Sequence, residues 1–174
     1  MLETTLCYIF KDDQVLMLYR NKKENDVHEG KWNGLGGKVE VNETTLECVI
    51  REVLEESGLK IVEPILIGAC YYSNFNGIEE MMYVYVAKQY EGKISECDEG
   101  ELHWMMKNEI MNLNVWGSDR LFLPYVIDEK FFIGLFEYNN LKFIEGVCQE
   151  VDLLTLENFI KDKKERYNGV VPVK

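Results

Sequence analysis

The chain has 174 residues, a length that favours one compact domain. Hydrophobic residues make up 47% of it and charged residues 29%, a balance that excludes a largely disordered protein. The formal net charge of −12 makes the chain a poor candidate for binding polymeric nucleic acid or an anionic membrane surface. A small phosphorylated ligand is compatible with this charge if divalent cations lie between its phosphates and the protein.

Cysteine spacing and the lack of long apolar runs bear on the cellular compartment. Successive cysteines are at least 22 residues apart, which argues against a zinc cluster or a disulfide framework, so we expect five reduced thiols: Cys7, Cys48, Cys70, Cys97 and Cys148. The first residues include no basic segment, and no apolar run approaches the roughly 20 residues that cross a bilayer. The sequence therefore predicts a cytoplasmic protein.

The first half of the chain predicts a hairpin, a long loop and a helix. Residues 4–10 and 15–19 are rich in β-branched and aromatic residues and flank a polar turn, as in a β-hairpin. Residues 21–37 are polar and glycine-rich, and a loop of this length tends to be functional. A helix is predicted over 43–57, ending at Gly58 as a left-handed cap. Five apolar residues recur at helical spacing and are expected to face the core: Leu46, Val49, Ile50, Val53 and Leu54.

The second half predicts more strands and helices, and with them a mixed α/β domain. Strands are expected over 61–72 and 81–90, around a polar turn at 73–80. The later elements are a strand over 102–106, a short helix over 109–113, a helix over 119–129, a hairpin of 131–138 and 141–147, and an amphipathic helix over 152–167. The last helix places four apolar residues on one face: Leu153, Leu156, Phe159 and Ile160. We expect one domain over 1–151, with the tail 152–174 packed on or beside it.

An acidic segment has a spacing that points to chemistry. It reads Gly37, five residues, Glu43, seven residues, Arg51-Glu52, an apolar residue, any residue, Glu55-Glu56, any residue, Gly58 and an apolar residue. On a helix, Glu52, Glu55 and Glu56 lie at i, i+3 and i+4, so three carboxylates converge on one face and repel one another. Hard oxygen ligands at this spacing suit Mg²⁺ or Mn²⁺. A solvated helix face is the alternative, but it does not require the surrounding glycines and Glu43 in this register.

This pattern is the complete Nudix box, and the chain resembles the Nudix hydrolases from about residue 4 to about residue 151. The resemblance implies the Nudix α/β/α sandwich, a mixed sheet with the box helix on one face and the 119–129 helix on the other. It also implies hydrolysis of a diphosphate-linked group. The box is shared by members with very different substrates, so it indicates the reaction class and leaves the substrate open.

The same resemblance assigns roles within the box. Glu52, Glu55 and Glu56 would hold the metal together with the backbone carbonyl of Gly36, and Glu55 or Glu56 would also polarise the attacking water. Arg51 lies four residues before Glu55 and can pair with it, which would orient that carboxylate. Three residues would be structural members of the box: Gly37, Glu43 and Gly58.

Residues 30–39 resemble the corresponding stretch of the MutT-like branch, the 8-oxo-dGTP diphosphatases. Asn33 is the most informative of them, because an amide both donates and accepts, which suits a purine edge altered by oxidation at carbon 8. An asparagine that satisfies the loop backbone is the alternative. Four neighbours are implied to face the substrate as well: Leu35, Gly36, Gly37 and Lys38.

Residues 115–119 resemble the second base-contacting segment of that branch, where a Trp is followed by Pro and two Asp. Trp116 would stack on or wall the purine, unless it is a core or rim aromatic, and Asp119 would bond the Watson–Crick edge. Gly117 replaces the Pro and Ser118 replaces the first Asp. One carboxylate in place of two implies either a different way of binding 8-oxoguanine or a preference for another base.

Three further residues match positions of the branch. Thr5 and Arg20 stand at substrate-facing positions on the first two strands, with Arg20 where a Lys is expected; an exposed surface charge is the alternative for Arg20. Glu99 matches a late acidic residue that completes metal binding, unless its acidic run is a solvated loop. His28 and His103 have no partner at motif spacing, and we interpret both as structural.

The sequence thus predicts a Mg²⁺-dependent diphosphatase, with Mn²⁺ as an alternative ion, that cleaves an oxidised purine nucleoside triphosphate such as 8-oxo-dGTP to the monophosphate and pyrophosphate. Such an enzyme would clear the nucleotide pool ahead of DNA repair. Other possible substrates are a general nucleoside triphosphate, a dinucleoside polyphosphate or a nucleotide sugar, and a catalytically silent Nudix ligand sensor is a further alternative. The expected partner is a small nucleotide, without polymeric nucleic acid or membrane, and we expect a monomer or weak dimer.

Overall fold

The computed structural model describes residues 1–168, which form a mixed eight-stranded sheet, a two-stranded sheet and three α-helices. The strands are β1 Leu2–Lys11, β2 Gln14–Arg20, β3 Trp32–Asn33, β4 Leu59–Val62, β5 Ile65–Phe75, β6 Ile78–Ala87, β7 Gln89–Gly92, β8 Gly100–Met106, β9 Phe132–Asn140 and β10 Lys142–Glu150. The helices are α1 Thr45–Ser57, α2 Asp119–Ile127 and α3 Leu153–Asn168. The α/β fold predicted from the sequence is confirmed.

The large sheet has the strand order β10-β9-β5-β6-β1-β2-β3, and β8 also pairs with β2. The β1–β6 and β5–β9 pairs are parallel and the others antiparallel. Between β1 and β2 the sheet opens, and residues 32–38 lie in the gap: Asn33 pairs with Leu18 of β2, and Leu35 bridges to Cys7 of β1. The end of the long loop is thereby held inside the sheet.

Helices cover both faces of the sheet, as predicted. Val49 and Val53 of α1 pack in one apolar cluster, which Leu156 of α3 also joins. Phe122 and Val126 of α2 pack in the cluster on the other face. None of the helices within residues 1–168 is both long and apolar enough to cross a lipid bilayer.

Capping residues define both ends of the box helix α1. Thr44 caps α1 and forms a reciprocal capping box with Glu47, and Gly58 ends the helix at φ 75°. The prediction that Leu46 and Leu54 face the core is wrong, since 46% and 47% of their surfaces are exposed. The buried face of α1 is rotated away from Leu54 and toward Glu56, so the helix turns part of its acidic side into the protein.

Several predicted boundaries shift for identifiable reasons. The strand predicted over 61–72 is two strands, because Glu63, at φ 47°, and Pro64 break it between β4 and β5. The polar turn predicted over 73–80 is confined to Asn76 and Gly77, and the strand predicted over 81–90 ends at Ala87. The short helix predicted over 109–113 is a 3₁₀ turn at Ile110–Asn112.

The terminal helix packs on the face that α1 covers. Leu156 is fully buried and Phe159 and Ile160 are half-buried in that cluster, as predicted. Leu153 is 47% exposed, so its predicted place on the packed face is wrong. Residues 169–174 of the predicted tail lie outside the described residues.

Candidate active site

A cavity of ≈ 650 Å³ lies where residues 32–38 enter the sheet beside α1. Its walls combine the N-terminal half of β1, the long loop, one side of α1 and the segment that leads into α2. Most of the residues predicted to act on substrate or metal line it: Thr5, Arg20, Asn33, Gly36, Gly37, Lys38, Glu52, Glu56, Glu99, Trp116 and Asp119. The fold therefore brings Thr5 and Asp119, which are 114 residues apart in the sequence, to the walls of one cavity.

Two carboxylates of α1 form the acidic end of this cavity. Glu52 lies against Gly37 so closely that a Cβ on Gly37 would overlap its carboxyl group. The Glu56 carboxylate accepts a hydrogen bond from the backbone N–H of Gly36 at 2.9 Å. The Gly36-Gly37 pair thus fits the backbone against both glutamates, and the side chain of Thr5 seals the region through a 3.3 Å contact with Cys48 Sγ.

Glu99 brings a third carboxylate from the loop before β8. It pairs with Arg20 and Lys23, and it lies within hydrogen-bonding distance of Glu56. Burial, with Glu99 as a like-charged neighbour, raises the pKa of Glu56, whereas pairing with Lys23 and Arg20 lowers the pKa of Glu99. Glu56 and Glu99 are therefore neighbouring carboxylates whose mutual repulsion favours the protonated form of Glu56. Arg20 is mostly buried in this network, which rules out the exposed-charge interpretation.

This donor set suits a divalent cation. The mostly buried Glu56 and Glu99 carboxylates offer hard oxygen atoms, and a cation between them would offset their mutual repulsion. Among residues 1–168, no three His, Cys, Asp or Glu side chains already meet at one point at ligand distances. Glu52, Glu56 and Glu99 would have to adjust around the ion.

Glu55 departs from the predicted convergence of three box glutamates. Its carboxylate is 60% exposed and lies 3.4 Å from the Arg51 guanidinium, outside the cavity. The prediction of three converging carboxylates is wrong for this conformation, because Arg51 and solvent hold Glu55 on the outer side of α1. Glu55 would need another rotamer to join Glu52 and Glu56 around an ion.

Arg51 organises the box from outside the cavity. Its Nε and Nη2 donate to both oxygens of Glu43 at 2.7 and 2.9 Å, and its Nη1 donates to Glu52 at 2.8 Å. This fork holds the pKa of Glu43 down at about 2. The predicted Arg51–Glu55 pair exists, but it is the longest of these contacts.

Leu35 is a correction to the predicted substrate contacts. It is fully buried in the core cluster beside α1 and does not line the cavity. The backbone N–H and carbonyl of Leu35 both pair with Cys7 of β1, and the two side chains pack in the same buried cluster.

The other end of the cavity is aromatic. Trp116 forms part of its wall with Tyr72 and Phe75, and Asn33 lies at the entry of residues 32–38 into the sheet. Asn33 lines the cavity, and among residues 1–168 no hydrogen bond joins its side chain to the loop backbone. The three rings that contact Trp116 all meet it at 73–87°, in edge-to-face geometry.

Asp119 is a buried carboxyl group in this aromatic end. Ser118 Oγ donates to Asp119 Oδ1 at 3.2 Å, and the Tyr138 hydroxyl lies 2.9 Å from Ser118 Oγ. Burial raises the pKa of Asp119 to about 7, so the group is poised between acceptor and donor forms at neutral pH. Gly117 is packed against the Phe143 ring so closely that a Cβ would lie 2.8 Å from it, which explains why Pro is absent there.

Sequence reasoning missed several residues of the cavity. His28, interpreted as structural, lines it and accepts a hydrogen bond from Trp116, and Asp26 pairs with Arg20 at 2.6 Å. Lys23 and Phe75 line it as well. The only sequence signal for the loop residues is the length and polarity of the loop itself. His103 is half-exposed on β8 and does not line the cavity.

A mixed sheet between two helical layers carries a cavity that is lined by both carboxylates and aromatic rings. A family model, the NUDIX domain, matches residues 2–126, and the chain belongs to that family as a Nudix hydrolase.

Named relatives carry the comparison further. The chain is 35% identical over 136 residues to the oxidized purine nucleoside triphosphate hydrolase of Danio rerio, covering 77% of this chain and 85% of that one. It is 35% identical over 128 residues to the Nudix hydrolase YvcI of Bacillus subtilis (strain 168), covering 71% and 77%. The crystal structure of the mutator MutT protein of Bacillus halodurans superposes with a TM-score of 0.77 at 28% identity, covering 86% of this chain and 98% of that one.

Proposed function

We propose that this Nudix hydrolase is a Mg²⁺-dependent diphosphatase that converts an oxidised purine nucleoside triphosphate, such as 8-oxo-dGTP, to the monophosphate and pyrophosphate. One observation carries the proposal: Glu52, Glu56 and Glu99 line the same cavity as Asn33, Trp116 and Asp119. The first group is suited to cation-bound phosphates and the second to a purine. The names of the Danio rerio and Bacillus halodurans proteins support the same substrate class and the same branch.

At the acidic end, Glu52, Glu56 and Glu99 would hold the cation, with the Gly36 carbonyl beside them and Glu55 after a rotamer change. Bound Mg²⁺ neutralises phosphate charge and lowers the pKa of water. Arg20 and Lys23 lie on the same side of the cavity and provide positive charge for the phosphates. Thr5 and Lys38 border the phosphate path along β1.

The reaction consists of one displacement at phosphorus. The water oxygen bonds to the α- or the β-phosphorus, the P–O bond from that phosphorus to the bridging oxygen breaks, and the bridging oxygen keeps the bonding electrons on the leaving pyrophosphate or monophosphate. Glu56, or Glu55 once it has turned inward, accepts the proton that the water loses. Arg51 holds Glu52 in place through the Glu43 fork, so it acts as a positioning residue.

At the aromatic end, Trp116 provides a face for the purine and Asn33 a donor and acceptor for its edge. Asp119 adds one carboxyl group whose pKa near 7 allows it to accept or to donate a hydrogen bond. A base that leaves such buried groups unpaired is rejected far more strongly than one that merely fits loosely. The enzyme would act on the nucleotide pool of the cytoplasm, as a monomer or weak dimer.

The test is turnover with Mg²⁺ of 8-oxo-dGTP, dATP, an adenosine dinucleotide polyphosphate and a nucleotide sugar, with the nucleotide products of each resolved by chromatography. We expect turnover of the triphosphates, led by the oxidised purine, and its loss in Glu56→Gln. Glu157→Gln, an exposed change on α3, is the matched control. Preference for the dinucleotide or the sugar would replace this substrate with another of the family, and metal-independent binding without turnover would indicate a ligand sensor.

A further inference from the structure

His28 contacts Trp116 across the cavity, from a different part of the chain. The Trp116 indole Nε1–H donates to Nδ1 of His28 at 3.0 Å. The two rings are 5.7 Å apart between centroids and nearly perpendicular, at 87°. Because Nδ1 accepts here, the imidazole must be neutral, with its proton on Nε2. The contact fixes one edge of the indole that forms the purine wall.

The surroundings of His28 keep it neutral and in place. Burial lowers its pKa and the Arg20 guanidinium lowers it further, whereas Asp26 and Glu99 act in the opposite direction. The His28 backbone N–H donates to Asp26 at 3.0 Å, and Phe75 stacks on the imidazole with centroids 6.2 Å apart. The ring is therefore held from its backbone and from one face.

The loop that carries His28 is tied to the Trp116 segment at a second point. Asn114 donates to the Gly30 carbonyl at 2.8 Å and accepts from Lys31 Nζ at 3.1 Å. The same ammonium group lies 5.0 Å from the centre of the Trp116 ring. Asn114 and Lys31 hold the two segments together, but among residues 1–168 it is His28 that accepts the hydrogen bond from the indole N–H.

We propose that His28 is a positioning residue of the base pocket, which sets base selectivity by fixing the plane of Trp116 and does not act at the phosphates. The proposal rests on the proposed function for the identity of the base. The His28 ring bonds Trp116 and makes no hydrogen bond to Glu52 or Glu56 among residues 1–168, so a change at His28 should alter KM and base preference while leaving kcat near its original value.

Two variants separate the hydrogen bond from simple packing. His28→Asn keeps an acceptor near the position of Nδ1, and His28→Phe keeps the ring and removes the acceptor. The first readout is the indole N–H signal of protein labelled with ¹⁵N-tryptophan, with the Trp116 signal identified by Trp116→Phe. In His28→Phe we expect this proton to exchange with water about five- to tenfold faster, the protection given by one hydrogen bond, and in His28→Asn to stay near the original rate.

The second readout is steady-state kinetics on 8-oxo-dGTP and dGTP. His28→Phe should raise KM for the preferred purine by about tenfold and reduce the ratio of kcat/KM between 8-oxo-dGTP and dGTP. His28→Asn should keep both quantities near those of the original protein. An unchanged indole signal in His28→Phe, or equal losses in both variants, would overturn the proposal. If the original protein does not prefer the oxidised purine, the proposed function fails. The indole signal and the KM for its best nucleotide then still decide the role of His28.

Discussion

Arg51 donates two hydrogen bonds, of 2.7 and 2.9 Å, to the carboxylate of Glu43, eight residues earlier. It also donates a hydrogen bond to its neighbour Glu52 and so restrains that side chain. A lysine has no planar fork and cannot bond both carboxylates in this geometry. Arg51→Lys should therefore lower kcat/KM by about 10- to 100-fold, the usual cost of losing an outer partner of a ligand. Arg166→Lys, near the end of α3, is the matched control and should leave steady-state kinetics unchanged.

Divalent cations should stabilise the protein through the acidic end of the cavity. At about 100 times the dissociation constant, binding contributes about 2.7 kcal/mol, or roughly 5–10 °C in the melting temperature. Glu56→Gln removes one charge of the Glu56–Glu99 pair and should abolish most of this rise, whereas Glu157→Gln should keep it. Thermal unfolding with and without Mg²⁺ measures both, and an equal rise in Glu56→Gln would exclude Glu56 as a ligand.

Asp119 should make stability fall as pH rises toward neutrality. Its folded-state pKa, about 7, is above the ordinary value of 3.8, so between these pH values the unfolded chain ionises while the native chain stays protonated. The cost grows through that window and is constant above it, at most about 4 kcal/mol. Asp119→Asn should flatten the pH profile of denaturant unfolding and gain stability above pH 7. The exposed change Asp128→Asn should leave the profile unaltered, and a native-like slope in Asp119→Asn would show that Asp119 ionises normally.

The terminal helix should contribute to stability through Leu156. This side chain is fully buried in the cluster beneath α1 and α3, and truncating it leaves a cavity. Leu156→Ala should cost about 2–5 kcal/mol in unfolding free energy, whereas Leu154→Ala, 66% exposed two residues earlier, should cost little. Equal effects of the two variants in denaturant unfolding would mean that α3 does not belong to the core.

The box could be predicted from the sequence because its signals are local. Helix α1, its cap at Gly58 and the facing of Val49 and Val53 follow from spacing along one helix, and the fold that the box implies is the one observed. The exposure of Leu54 could not be inferred that way, because the rotation of a helix is set by the sheet it packs on. In α1 that rotation turns Glu56 inward.

The aromatic end of the cavity depends on contacts between residues far apart in the sequence, and the spacing of motifs does not predict such contacts. Leu35 is flanked by small and polar residues that line the cavity, yet its backbone pairs with Cys7 of β1, and its side chain packs with Cys7 in the core. His28 and Trp116 are 88 residues apart, and no motif relates them. Only the three-dimensional placement of the long loop shows that His28 belongs to the site.

The most direct test of the central claim is the ratio of kcat/KM for 8-oxo-dGTP over dGTP, measured with Mg²⁺ in the original protein and in Trp116→Ala. A single cavity that joins the acidic and aromatic ends predicts a ratio well above one, and a ratio near one after loss of the Trp116 wall. Equal turnover of both nucleotides by the original protein would leave the hydrolase intact and contradict its assignment to oxidised purines.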